Sequence, residues 1–158
     1  SIPLRIGVKR LMREAREAGI RLAVATTSAL PNAMALIEKH LDPDWLEVIG
    51  AGDMVANKKP APDIYQYVLQ EMQLSPQDCL VLEDSQAGLQ SATAAGLPTV
   101  VTANEYTQNQ DFRDAKLVLN HLGDDQHPCT VLATQVDAIA NIDCFDVEAA
   151  RKLHATVS

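Results

Sequence analysis

Aromatic residues, cysteines and basic residues are few in this sequence, and long apolar runs are absent. Each of these features excludes a kind of core, a location or a class of partner. Aromatic residues make up 4% of the 158 positions, so the core must consist mainly of alanine, valine, leucine and isoleucine. No apolar run approaches the ~20 residues of a membrane-spanning helix, and no signal peptide is recognisable. The three cysteines are odd in number and lack paired spacing, which predicts reduced thiols and a cytoplasmic location.

Basic residues are also few: 13 lysines and arginines stand against 21 aspartates and glutamates, for a net charge of −8. This balance argues against nucleic acid or an anionic membrane as a partner, because both attract positive surfaces. A small phosphorylated substrate is compatible with this negative net charge, since its binding needs only local cations or a bound metal. What the chain does have, 47% hydrophobic and 22% charged residues, is typical of one globular domain over residues 1–158.

Apolar residues recur at helical spacing in some segments and form short continuous runs in others. The helical segments are 4–18, 31–41, 62–74, 86–95 and 147–154. The strand-like runs are 21–27, 46–49, 79–82, 99–102 and 116–119, and the first of them is apolar enough for burial on both faces. Strands that alternate with helices, without a hairpin pattern, predict an α/β fold: a Rossmann-like, mostly parallel sheet with helices on both faces.

Hydroxyl residues follow the first predicted strand, and open parallel sheets bind their ligands beyond the carboxyl ends of the strands. Thr26, Thr27 and Ser28 lead from that strand into a helix, where hydroxyls and backbone amides can hold an anion. The same residues would also serve as ordinary helix caps. The first strand therefore predicts an anion site only in combination with other groups.

A lysine pair and an acid pair occupy the equivalent positions after the second and third strands. Lys58 and Lys59 lie just before Pro60, which favours an extended backbone at Lys59 and so directs its side chain. The alternative is a solvated pair at a helix entry. Glu83 and Asp84 end an apolar strand, where two carboxylates are costly to bury without a cation, unless they simply favour a helix N-terminus. Together the three groups predict one Mg²⁺-assisted phosphate site.

In this order the groups resemble motifs of the haloacid dehalogenase superfamily. Thr26 at the end of VAT, Lys59 in KKPAPD, and Glu83 with Asp84 in EDSQAG resemble its second, third and fourth motifs. The stretches KKPAPDIY, EDSQAGLQSATAAG and VVTANEYTQNQDF are similar to the β-phosphoglucomutase-like branch, and most of all to its phosphatases of xylulose 1,5-bisphosphate. The likeness runs over residues 4–123.

The resemblance implies a role for each matching residue. Thr26 would hydrogen-bond the transferring phosphoryl group, and Lys59 would neutralise charge on the nucleophile and the phosphoryl oxygens. Asp84 would hold Mg²⁺, with Glu83 as a ligand directly or through water. Substrate contacts would come from Thr27, Ser28 and Asn32.

The family's first motif, Asp-x-Asp-Gly after an apolar strand, is absent. In the family its first aspartate is the nucleophile and its second the general acid/base. The Asp-x-Asp found here, Asp42 to Asp44, follows a helix and precedes Trp45, so we interpret it as a turn. The resemblance therefore implies that residues 1–158 are a catalytic core without its first, central strand and without its helical cap.

A missing central strand would weaken the fold severely. Losing about five buried residues at ~1.5–3 kcal/mol each removes roughly 7–15 kcal/mol, whereas a whole domain is stable by only ~5–15 kcal/mol. We therefore expect the N-terminal segment to be supplied, by the same protein or by another chain. The isolated chain, without the nucleophile, is expected to be inactive.

The resemblance as a whole implies a Mg²⁺-dependent phosphatase of small sugar phosphates that works through an aspartyl-phosphate intermediate. Two alternatives stay open: a phosphosugar mutase of the same family, and a non-catalytic relative that binds phosphosugars or a protein. A phospho-receiver domain also combines Asp, Thr and Lys on a parallel sheet. Its acid pair ends the first strand and its lysine comes late, whereas the order here is Thr26, Lys59, Glu83. That order argues against a receiver.

Overall fold

Two separate sheets organise the part of the chain that the computed structural model describes, residues 4–157. Strands β1 (Ala23–Ala25) and β2 (Val48–Gly50) form a parallel pair. The second sheet has the order β3-β4-β5-β6, with β3, β4 and β5 parallel and β6 antiparallel to β5. Its strands are β3 (Val81–Glu83), β4 (Thr99–Thr102), β5 (Leu117–Leu119) and β6 (Val131–Thr134).

Five α-helices connect or cover the strands within the described residues: α1 (Val8–Glu17), α2 (Leu30–His40), α3 (Asp63–Met72), α4 (Gln86–Ala94) and α5 (Val147–His154). Short 3-10 turns occupy Pro43–Trp45, Gly52–Met54, Pro76–Asp78 and Asp137–Ile139. Asp42 caps the first of these turns and Asp44 lies inside it, so the Asp-x-Asp sequence is a turn, as predicted. In the described range no helix combines the length and the apolarity needed to cross a membrane.

Local signals explain where the helices begin and end. Helix α1 starts at Val8, later than the predicted residue 4, because Gly7 takes a left-handed conformation (φ 88°) that a helix cannot include. Gly19, also left-handed at φ 76°, follows the last turn, where the amide of Ile20 donates to the carbonyl of Ala15 at 2.8 Å.

The predicted arrangement of helices on both faces of the sheet is confirmed. Alternate residues of β4 point to opposite faces: Val100 packs in a cluster with α1 and α5, whereas Val101 packs against Leu89 of α4. Helix α3 supplies Ile64 and Tyr65 to a third cluster, which also includes Val81 of β3. The α/β, Rossmann-like architecture is therefore present.

The last third of the chain differs from the prediction. The sequence predicts the strand 116–119 and the helix 147–154 there and no hairpin, yet β6 pairs antiparallel with β5. Strand β6 was not predicted because its burial does not alternate from residue to residue. Val131 and Thr134 are half-buried, whereas Leu132 and Ala133 between them are exposed. The same region also supplies Phe145, whose side chain is fully buried in the largest cluster.

The expectation that residues 21–27 form a strand buried on both faces is wrong. Strand β1 has only three residues, and all three are half-buried. The reason is that β1 has β2 as a neighbour on one side and, among the described residues, no strand on the other. Strand β3 is likewise paired only with β4, and its Leu82 is 41% exposed. The edges of β1 and β3 that lack a strand partner will be called the open edges.

Candidate active site

Lys59 links the carboxyl ends of β1 and β3. Its Nζ donates to the carbonyl oxygen of Ala25, the last residue of β1, at 3.1 Å. It also donates to Oε2 of Glu83, the last residue of β3, at 2.5 Å. The two charged side chains are only 10% and 7% exposed, so Lys59 is not a solvated lysine at a helix entry. A buried ion pair of this kind needs further hydrogen bonds to offset the loss of solvation.

The loop that carries Lys59 is closed by a hydrogen-bonded pair of residues at its two ends. Oδ2 of Asp63 accepts from the backbone amide of Asn57 at 3.1 Å and from its side-chain amide at 3.2 Å. Between them, the amide of Ala61 donates to the carbonyl of Lys58 at 3.0 Å. Lys58 itself is exposed, so the loop separates the two lysines of the pair. Only Lys59 reaches the site.

Tyr65 completes the environment of the ion pair, and the sequence reasoning assigned it no role. Its hydroxyl donates to Oε2 of Glu83, and its ring centroid lies 5.1 Å from Nζ of Lys59. Burial, together with the Glu83 carboxylate, holds the pKa of Tyr65 far above its ordinary value of 10.0, so the phenol stays protonated. The sequence feature that could have indicated this role is the position of Tyr65 on the apolar face of a helix, because a buried tyrosine hydroxyl requires a hydrogen-bond partner.

Helix α4 confines Glu83 from the other side. A Cβ atom placed on Gly88 would lie 1.9 Å from Oε1 of Glu83, so any larger residue at this position would displace the carboxylate or the helix. The helix is capped by Ser85, whose hydroxyl accepts from the amide of Gly88 at 3.1 Å. The first turn of α4 therefore lies directly against the buried carboxylate.

The hydroxyl residues lie at the end of β1, next to the carbonyl that Lys59 contacts. Thr26 is half-buried, and its Oγ1 accepts from the amide of Ser28 at 3.1 Å, which leaves the hydroxyl proton free to donate. Thr27 and Ser28 are exposed. Asn32 is exposed in the first turn of α2, and no hydrogen bond in the described part of the chain ties its side chain to Lys59 or Glu83.

Two carboxylates at this edge of the sheet match the chemistry of a Mg²⁺ site. Asp84 is exposed directly after β3, beside the buried Glu83. Within residues 4–157 no group of three or more histidine, cysteine, aspartate or glutamate side chains could hold a metal ion. Because Mg²⁺ usually takes one or two protein carboxylates and completes its shell with water and phosphate oxygens, two carboxylates are compatible with it.

Comparison with known proteins assigns the chain to a family. A model of the haloacid dehalogenase-like hydrolases matches residues 1–96, so the chain belongs to that family. The chain is 48% identical over 130 residues to the plasmid protein CbbY of Cupriavidus necator, covering 80% of this chain and 51% of the relative. A mutant CbbY of Rhodobacter sphaeroides, solved in complex with xylulose 1,5-bisphosphate, has a TM-score of 0.72 at 46% identity, covering 76% of this chain and 55% of that one.

A more distant structure shares the fold over nearly the whole chain. The β-phosphoglucomutase of Clostridium difficile has a TM-score of 0.70 at 17% identity, covering 96% of this chain and 56% of the other. At this identity the likeness shows the fold alone. The resemblance inferred from the sequence motifs is confirmed for the superfamily, and its likeness to phosphatases of xylulose 1,5-bisphosphate is confirmed by the match to CbbY proteins, one of them solved with that compound. The chain spans about half the length of the relatives it matches.

Proposed function

We propose that this chain is the larger part of the catalytic core of a Mg²⁺-dependent phosphatase of small sugar phosphates or bisphosphates. The observation that carries the proposal is the contact of Lys59 with both strand ends, at 3.1 Å to Ala25 and 2.5 Å to Glu83. This contact places a cation next to the Thr26 hydroxyl and the two carboxylates, at the carboxyl ends of the strands, where ligands of this fold class bind. The CbbY relative that binds xylulose 1,5-bisphosphate supports this substrate class.

The site residues retain hydrogen-bonding capacity for a phosphoryl group. An ammonium group has three donors, and Lys59 uses two of them for Ala25 and Glu83, so one is left for a phosphoryl oxygen or a nucleophilic carboxylate. The Thr26 hydroxyl accepts from Ser28 and can donate to a second phosphoryl oxygen. Thr27, Ser28 and Asn32 stay predicted substrate contacts, since all three are exposed.

Asp84, with Glu83 directly or through water, would hold Mg²⁺. The ion would neutralise negative charge on the phosphoryl oxygens as the bond to the leaving group breaks. The third phosphoryl oxygen or the nucleophile would then face the remaining N–H donor of Lys59. In the proposed reaction the first aspartate of the Asp-x-Asp-Gly motif would attack phosphorus, and the second would give its proton to the leaving sugar oxygen. The second aspartate would then take a proton from the water that hydrolyses the aspartyl phosphate to inorganic phosphate.

The aspartate is proposed to come from a strand that inserts between the open edges of β1 and β3, supplied by the same protein or by another chain. Three observations favour this position: each strand has one paired neighbour among the described residues, Leu82 is 41% exposed, and the relatives are about twice as long. Lys59 would then lie beside the inserted strand. A cytoplasmic location, indicated by three free cysteines, belongs to the same proposal.

Mutagenesis of the complete protein tests the assignment. Phosphatase activity with Mg²⁺ on a panel of sugar phosphates is expected for the wild type, and Lys59→Ala and Asp84→Ala should each lose it almost entirely. Lys58→Ala and Asp125→Ala are matched controls, because both residues are exposed and neither takes part in the hydrogen bonds that join Lys59, Glu83 and Tyr65. Wild-type rates in Lys59→Ala or Asp84→Ala would contradict the site, and transfer of phosphate between positions of one sugar would identify a mutase instead.

The inserted strand has its own test. We expect the 158-residue chain of 17.1 kDa to be unstable by itself, and to become a folded species when the segment bearing Asp-x-Asp-Gly is added. Intact mass and sedimentation velocity measure this directly. A stable, monodisperse 17.1 kDa monomer with protected amides along both open edges would contradict the proposal.

A further inference from the structure

The Glu83 carboxylate is contacted by Lys59, by Tyr65 and by the first turn of α4. Oε2 accepts from Lys59 and from the Tyr65 hydroxyl, and Oε1 lies against the first turn of α4 at Gly88. The Tyr65 ring also lies 5.1 Å from Nζ of Lys59, within the range of a cation–π contact. Tyr65 therefore touches both members of the buried ion pair, one with its hydroxyl and the other with its ring.

We propose that Tyr65 is a positioning residue of the candidate active site: it fixes the Glu83 carboxylate and, through it, the ammonium group of Lys59 beside the end of β1. The inference rests on the proposed function and adds a residue to it. A lysine side chain has four rotatable bonds, so its ammonium group is placed only by what it contacts. The Ala25 carbonyl and the Glu83 carboxylate are those contacts, and the carboxylate is itself placed by Tyr65.

Packing alone does not explain a tyrosine here. Phenylalanine would fill the same buried space against Val81 and Ala92 without bringing a polar hydroxyl into the core. The hydroxyl is instead aimed at the same carboxylate oxygen that binds Lys59.

Tyr65→Phe tests the proposal, since it keeps the ring and removes only the hydroxyl. Tyr67→Phe is the matched control, because Tyr67 lies in the same helix and its hydroxyl meets only exposed Glu71 at 3.5 Å. In the complete protein we expect Tyr65→Phe to lower kcat about tenfold and to leave KM within about twofold, since Lys59 acts on charge that develops in the transition state. Tyr67→Phe should change neither.

A spectroscopic measurement separates positioning from general destabilisation. The side-chain ¹⁵N ammonium resonance of Lys59 is expected to be observable in the wild type, because the group is buried and hydrogen-bonded, and to shift or broaden in Tyr65→Phe. If that variant does not fold, 3,5-difluorotyrosine at position 65 changes the donor strength with little change in volume. The same replacement at position 67 is its control.

The outcomes are distinct. An unchanged kcat and an unchanged Lys59 resonance in folded Tyr65→Phe would overturn the positioning role, as would a fall in activity matched by Tyr67→Phe. A wild-type protein without phosphatase activity would contradict the proposed function instead. In that case the Lys59 resonance still decides whether Tyr65 fixes the ion pair.

Discussion

Gly88→Ala is the sharpest available test of how tightly Glu83 is confined. The added Cβ would lie 1.9 Å from Oε1, 2.3 Å from Cδ and 2.8 Å from Oε2 of Glu83. The carboxylate cannot move aside cheaply, because it is buried and bound by Lys59 and Tyr65. Either helix α4 shifts or these hydrogen bonds break, so the substitution is expected to disturb both the packing of the helix and the ion pair.

The expected cost follows from these two effects. Overpacking a well-filled site costs ~1–3 kcal/mol, and losing a hydrogen bond to a charged group costs ~1.5–3 kcal/mol. Alanine regains up to ~1 kcal/mol of helix propensity over glycine. We therefore expect Gly88→Ala to lower the free energy of unfolding by about 2–5 kcal/mol. Urea denaturation with an unchanged m value measures it.

A double-mutant cycle isolates the cause. In a Glu83→Ala background the added methyl group enters vacated space, so Gly88→Ala should cost less than ~0.5 kcal/mol there, or stabilise the helix. In a Glu83→Gln background, where the side chain keeps its size, the full cost should remain. The reasoning is refuted if Gly88→Ala is harmless in the wild type, or if its cost is the same with alanine at position 83.

Further predictions concern the glycines, an exposed ion pair and the thiols. Gly52→Ala should destabilise the protein by ~2–4 kcal/mol, since its Cβ would lie 2.1 Å from a backbone oxygen in the loop after β1. Gly19→Ala, which meets no atom within 4 Å and has only the strain of φ +76°, should cost ~1–2 kcal/mol in the same denaturation assay. The hydrogen bond from Arg21 lowers the pKa of Glu47 below its ordinary 4.5, so NMR titration should show that pKa rising in Arg21→Gln. Because the folded pKa is the lower one, any stability from this pair is present above pH ~4.5 and lost as pH falls through the lowered pKa. Cys129, which is 7% exposed and whose thiol pKa is raised by burial, should react with a thiol reagent later than the other two cysteines, and equal rates would contradict its burial.

Much of the fold could be predicted where local signals mark the ends of elements. Strand β4 and helix α5 begin and end at the predicted residues, 99–102 and 147–154, because Pro98 precedes the strand and Asp146 caps the helix, accepting from the amide of Ala149 at 2.8 Å. Strand β6 could not be predicted, because its pairing with β5 spans a loop and its burial does not alternate. Pairing over such distances leaves no local pattern.

The candidate site could be predicted as far as its residues follow strand ends. Lys59 and Glu83 meet next to Thr26 because Lys59, in the loop after β2, reaches the carboxyl ends of both β1 and β3. Tyr65 and Gly88 also shape the site, yet both lie inside helices, where their spacing indicates packing. Their contacts with Glu83 depend on how α3 and α4 cross the sheet, which the sequence pattern does not specify.

The mismatch between predicted and observed burial is itself informative about the open edges. Strands of a parallel sheet are ordinarily buried on both faces, and apolar composition predicts this for the strand over residues 21–27. On β4 and β5 that expectation is met, since Val100, Val101, Leu117 and Leu119 are all 0% exposed. On the two strands that border the open edges it fails: β1 is half-buried throughout, and Leu82 of β3 is 41% exposed. A general defect of packing would affect all strands, whereas this incomplete burial is found on the parallel strands with one neighbour among the described residues, including β2, whose Val48 and Ile49 are half-buried. The residues of β1 and β3 thus have the composition of interior strands in an edge environment, as expected if the proposed strand inserts between them.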